Sequence, residues 1–308
     1  MSQPDQKHHA PHLEPDSRVA PEDSPEVPWR KRLISVSVLP TLCTVANGLS
    51  GLAAIHFATL NAVGHAEPWH LAAAGWLIFL AMVFDMLDGR LARMTRSTSD
   101  FGAQLDSLCD AVSFCAAPAV LMLRTCQMAL RGVNVQRIDF LPDMFASFTL
   151  PDRILWAIGG LYMACGVLRL ARFNVETDEA EESHMTFKGL PSPGAAAAVV
   201  SLVLVIDQLS RSQGLLSHPA TMISVVVTLP LVTLIAALLM VSNVEYPHIA
   251  NQIHLSRKPF GTIVKLVIIA MFAVLNFILT GATLAVIYVL SGPVRVLWRR
   301  AKRREKPA

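Results

Sequence analysis

The chain has 308 residues, 53% of them hydrophobic and 16% charged, with a net charge of +3 and a mean hydropathy of +0.47. That is more apolar side chain than a soluble domain buries, so the chain reads as an all-α polytopic membrane protein. The small net charge gives no reason to expect a nucleic-acid partner.

Residues 1–28 are rich in Pro, His, Glu, Asp and Ser, cannot bury a core, and read as a disordered polar tail in which His8, His9 and His12 are solvated. The basic residues come after this tail, so no cleavable signal peptide is expected and the first span reads as a retained anchor. Six spans are predicted, at 38–60, 70–92, 104–128, 153–173, 192–209 and 220–242, each near the ~20 apolar residues that cross a bilayer. A further apolar stretch, 263–297, is long for one helix and short for two. Thr280-Gly281 near its middle is expected to turn it, making 251–297 a hairpin and giving about eight spans. The alternative is a re-entrant or interfacial segment. The five cysteines (Cys43, Cys109, Cys115, Cys126, Cys165) lie in apolar segments without zinc-ligand spacing and read as small buried residues.

Charge placement orients the chain. Arg30, Lys31 and Arg32 precede the first span, and Arg295, Arg299, Arg300, Lys302, Arg303, Arg304 and Lys306 lie at or beyond the end of the last. Basic residues collect on the cytoplasmic side, so both ends are expected inside and the number of crossings even. The turn at 93–103 and the loops at 174–190 and 243–262 are then cytoplasmic. The basic tail at 298–308 is expected to meet anionic headgroups.

Against this apolar background stand Asp85, Asp88, Asp106 and Asp110. A carboxylate at membrane depth is costly and usually marks function. Asp85 and Asp88 are i, i+3, and Asp106 and Asp110 are i, i+4, so each pair shares one helix face. A short connection makes the two helices antiparallel neighbours, and the four carboxylates can converge at the cytoplasmic interface. With no comparable basic cluster between them they point to a divalent cation, Mg²⁺ or Mn²⁺, both of which favour hard oxygen ligands. Two such ions ~4 Å apart could clamp a phosphoryl group during displacement. Gly89 removes a side chain beside the site, Gly102 does so on the facing helix or permits the turn, and Arg93 could pair with a phosphate. The competing reading is an ion pathway, as in a metal-ion transporter.

The run from Asp85 to Asp110 fits D-x2-D-G-x2-A-R-x8-G-x3-D-x3-D at every fixed position, and so resembles the CDP-alcohol phosphatidyltransferases. The resemblance implies a six-helix catalytic core within 29–250 and places divalent metal on Asp85, Asp88 and Asp106. It makes Asp110 the base that activates the acceptor hydroxyl, a residue that could also touch a metal, with Gly89, Arg93 and Gly102 at the CDP group. Pro40-Thr-Leu-Cys-Thr44-Val-Ala-Asn47 resembles the first-helix P-N-x-x-T-x-x-N motif of the serine-using branch of that family, with Thr41 where Asn is usual. It adds Thr44 and Asn47 to the CDP-lipid contacts. Arg169-Leu-Ala-Arg172-Phe-Asn174 and Phe187-Lys188-Gly189-Leu-Pro-Ser-Pro193 are similar to two further segments of the same branch, and Arg172, Asn174 and Lys188 are the acceptor candidates. The substrates so implied are CDP-diacylglycerol and L-serine, with glycerol 3-phosphate, inositol or inositol phosphate as alternative acceptors. A homodimer in a bacterial-type inner membrane, its active site facing the cytoplasm, is implied as well.

Overall fold

The computed structural model describes residues 29–60, 69–95, 100–131, 150–178, 189–213, 219–244, 246, 271–272 and 275–304. All regular structure among them is helical. The helices are α1 (Trp29–Leu60), α2 (His70–Thr95), α3 (Asp100–Asp110), α4 (Ala117–Arg131), α5 (Leu150–Asp178), α6 (Ser192–Gln213), α7 (Pro219–Val241) and α8 (Phe277–Arg304). A single π-helical turn, Ala111–Ala116, joins α3 to α4 into one span. Among the described residues seven spans are long and apolar enough to cross a membrane, and the protein is an integral, multi-pass membrane protein. Each of the six expected spans is present. Most helices run past one or both expected edges, where interfacial polar residues continue the backbone ladder beyond the apolar stretch, while α7 stops at Val241.

The α3–α4 span is central, touching α1, α2, α5, α6 and α7, whereas α1 and α2 pack along each other and α5 along α7. The core is drawn from small and branched residues, among them Ala195, Ala196, Val199, Val200 and Val203 on α6, with Phe114, Leu121, Met122 and Tyr162 filling the larger spaces. Small side chains let helices approach closely where lipid offers no hydrophobic drive. Leu42, Leu49, Leu52, Val227 and Leu238 stay exposed on the outer surface, as lipid-facing positions should. Pro40, Pro230 and Pro293 lie inside helices. The Pro40 carbonyl accepts from Thr44 Oγ1 at 3.1 Å.

Two expectations for the C-terminal region meet the structure differently. Thr280 and Gly281 do not turn the chain; they lie within α8. The helix instead begins after Asn276, whose Oδ1 accepts from the Leu279 N–H at 3.0 Å. Backbone bonds of helical spacing also run through Asn276, its N–H donating to Phe272 O at 2.9 Å and its carbonyl accepting from the Thr280 N–H at 3.0 Å. The Phe277 ring stacks on Trp76, early in α2, while Tyr246, which comes after α7, donates its hydroxyl to Val289 O near the middle of α8. α7 and α8 therefore end on the same side and run in the same direction. Residues 251–270 of the expected hairpin, the polar tail at 1–28 and Lys188 lie outside the described residues.

Candidate active site

The carboxylates come together as the helical spacing requires. One oxygen from each of Asp85, Asp88 and Asp106 lies within 4.8 Å of the others. Asp88 is buried and the other two are half-buried. Asp88 Oδ2 and Asp106 Oδ1 are buried without a hydrogen-bond partner, and among the described residues no basic side chain forms an ion pair with any of the four aspartates. Buried acceptors of like charge, left open toward one another, fit a divalent cation in type and number. Asp85, Asp88 and Asp106 are the residues that would hold it. The Thr44 hydroxyl lies against the Asp88 carboxylate.

Asp110 stands one turn deeper than Asp106 and outside this group of three. It is buried, and its Oδ1 accepts from Asn47 Nδ2 at 2.9 Å. Asn47 is therefore engaged with Asp110, and the same residue's backbone carbonyl accepts from Ser113 Oγ at 2.9 Å. The close approach of α1 that permits this depends on small residues: a Cβ at Gly48 would lie 2.9 Å from Cys109 Sγ.

The remaining expected contacts divide. Gly89 is exposed, and a Cβ there would meet no protein atom within 4 Å. Nothing in the chain itself demands glycine at this position, and the space beside it is open. Arg93 donates from Nε to the Gly89 carbonyl at 2.9 Å. Gly102 is half-buried in the first turns of α3. Asn174 is bonded to Ser107, the neighbour of Asp106, at 3.0–3.1 Å, which ties the end of α5 to the carboxylate helix. Arg172 donates to Asn243 Oδ1 at 3.3 Å.

Arg169, one turn deeper than Arg172, lies nearer the centre of the site. Its Nη1 donates to Ser192 Oγ at 3.0 Å, its Nε is buried without a partner, and it lies within electrostatic range of Asp110 and Tyr288. The i, i+3 spacing of the two arginines put both on one face; only their depth was not legible. Ser192 opens α6, and the segment before it is pinned to the end of α7. Gly189 N–H donates to Val244 O, and Leu190 N–H to Leu239 O, both at 2.9 Å. Gly189 has φ +91°, and a Cβ there would overlap the Met240 carbonyl, so glycine is required by backbone conformation and by space.

An apolar groove of about 570 Å³ runs between α2, α6 and α8, from Trp76 and Phe277 along Val83 to Met86, the residue after Asp85. Its lining is almost wholly apolar, and Met86 is the lining residue nearest in sequence to the carboxylates.

Comparison with known proteins accords with this geometry. The family model for CDP-alcohol phosphatidyltransferase matches residues 37–230. The chain is 28% identical over 249 residues to a CDP-diacylglycerol–serine O-phosphatidyltransferase of Helicobacter pylori, covering 80% of this chain and 89% of the relative. It is 33% identical over 221 residues to an archaetidylserine synthase of Methanothermobacter thermautotrophicus, covering 71% and 73%. It is also 33% identical over 179 residues to a CDP-diacylglycerol–serine O-phosphatidyltransferase of Mycobacterium leprae, covering 57% and 50%. The model match takes in the whole carboxylate cluster with the helices that present it, and the chain belongs to the CDP-alcohol phosphatidyltransferase family.

Proposed function

We propose that this protein transfers the phosphatidyl group of CDP-diacylglycerol to the hydroxyl of L-serine, giving phosphatidylserine and CMP. The observation that carries the reading is the convergence of Asp85, Asp88 and Asp106 beside Asp110, in a chain whose relatives are named for serine as acceptor. Mg²⁺ or Mn²⁺ held by Asp85, Asp88 and Asp106 would neutralise the diphosphate and ease the departure of CMP.

The chain's own residues supply the rest. Asp110, held by Asn47, accepts the proton of the serine hydroxyl as its oxygen bonds to the lipid-linked phosphorus. The bond from that phosphorus to the CMP oxygen breaks, and CMP leaves toward the cytoplasm. Open space at Gly89 admits the diphosphate, and Arg93, anchored on the Gly89 carbonyl, sits one turn away to meet it. Arg169 joins Arg172 and Lys188 as a cation for the serine carboxylate, while Asn174 acts by fixing α5 against Ser107. The groove that ends at Met86 receives an acyl chain, so the lipid stays in the bilayer while its head reaches the carboxylates. The reading places the site at the cytoplasmic face of an inner membrane and the protein in a homodimer.

The test is CMP release by the purified protein with CDP-diacylglycerol and Mn²⁺ or Mg²⁺, with serine, glycerol 3-phosphate and inositol offered separately. Release with serine alone supports the reading. Release with another acceptor keeps the chemistry and overturns the acceptor. A metal-ion transporter would release no CMP at all.

A further inference from the structure

The π-turn at Ala111–Ala116 begins at the residue after Asp110. A π-turn admits an extra residue into the helix and is often found at functional sites. Here it separates two faces. In α3, Asp106 and Asp110 point to α2 and α1; beyond the turn, α4 buries Ala117, Ala119, Leu121 and Met122. One added residue rotates the rest of the helix by about 100°, so the turn sets where Asp110 stands relative to the packed half of the span.

The turn is gripped from both sides by hydroxyl groups. On the α1 side, Ser113 Oγ donates to Asn47 O, and Asn47 Nδ2 donates to Asp110 Oδ1. On the α5 side, Tyr162 donates its hydroxyl to Phe114 O at 3.1 Å. Ser113, Phe114 and Tyr162 are fully buried. Glycines make both grips possible: a Cβ at Gly51 would overlap Ser113, and one at Gly166 would overlap Cys115. Two buried hydroxyls, one within the turn and one reaching it from α5, thus hold the backbone beside Asp110.

We propose that Ser113 and Tyr162 are positioning residues for Asp110, acting through the π-turn and Asn47. The proposal rests on the reading of Asp110 as the base. Neither hydroxyl touches substrate; each fixes the backbone that carries the carboxylate.

The experiment compares Ser113→Ala, Tyr162→Phe and Thr125→Val in the full-length protein, with Asp110→Asn alongside. Thr125 is a buried hydroxyl of α4 that bonds within its own helix, at Leu121 O, and so reports the generic effect of losing such a group. Steady-state kinetics with CDP-diacylglycerol, serine and Mn²⁺ are read with thermal unfolding. Ser113→Ala and Tyr162→Phe are each expected to lower kcat by roughly ten- to a hundredfold, as small misplacements of a reacting group do. KM for both substrates and the half-activating Mn²⁺ concentration should stay as in the wild type, and Thr125→Val should leave kcat unchanged. Wild-type kcat in both variants, an equal loss in Thr125→Val, or a change confined to KM or metal activation would overturn the proposal. Turnover by Asp110→Asn would instead remove the reading beneath it.

Discussion

Replacing Asp106 by Asn should make the protein more stable and less able to use metal. The three carboxylate oxygens lie within 4.8 Å of one another. At that distance, with an effective dielectric of 20, two unit charges repel by about 3.5 kcal/mol. Asn at 106 removes the repulsion with both Asp85 and Asp88 and keeps the side-chain shape. Part of the gain is already offset by solvent at the half-exposed Asp85, so the expected stabilisation of the metal-free protein is a few kcal/mol, seen as a rise of several degrees in Tm. Metal response should move the other way. Wild-type protein is expected to gain Tm on adding Mn²⁺, because a ligand that binds only the folded state stabilises it. Asp106→Asn should lose that shift, and its half-activating metal concentration should rise by more than about a hundredfold. The assay is thermal unfolding in detergent, with and without Mn²⁺ and chelator, beside CMP release. A variant with unchanged metal-free Tm and a wild-type metal shift would refute the idea that these side chains form a strained cation site.

Three other perturbations bear on the surrounding frame. Gly189→Ala forces an L side chain to φ +91° and into the Met240 carbonyl, so it is expected to destabilise by more than about 1–2 kcal/mol and to raise KM for serine by displacing Ser192 from Arg169; unchanged unfolding and KM would contradict this. Burial, with Tyr288 adding to it, pushes the Tyr246 hydroxyl up to about 12. A Tyr whose folded value lies above its unfolded ~10 adds stability that is whole below pH ~10 and lost as pH rises through the folded value; Tyr246→Phe should flatten that alkaline limb of a Tm-against-pH curve. Because α7 and α8 end on the same side, reporter fusions after Val241 and after Arg304 should report the same compartment. Fusions reporting opposite sides would refute the parallel run of α7 and α8.

The carboxylate cluster was legible in the sequence because its information is periodic. Spacings of three and four residues fix a shared face, and a short connection brings two such faces together. The spans were legible for a similar reason, since length and hydropathy are summed over many residues. Features that depend on one residue's conformation were not. The π-turn falls in Ala-Val-Ser-Phe-Cys-Ala, which has no composition to distinguish it from regular helix. The commitments of Asn174 to Ser107 and of Asn47 to Asp110 depend on which helices touch, and local sequence does not encode that. Thr280-Gly281 misled because a glycine in an apolar run resembles a turn; in lipid, a helix keeps its hydrogen bonds through such a residue. The local irregularity lies instead at Asn276, a polar side chain that bonds to the backbone in the middle of an apolar stretch.

The most direct test tracks radiolabelled serine into lipid. Purified protein in detergent, given CDP-diacylglycerol, Mn²⁺ and labelled L-serine, is expected to form labelled phosphatidylserine with one CMP released per serine incorporated. Chelator or Asp110→Asn should abolish both. Labelled lipid without CMP release, or undiminished incorporation by Asp110→Asn, would contradict displacement by an Asp110-activated serine at the Asp85–Asp88–Asp106 cluster.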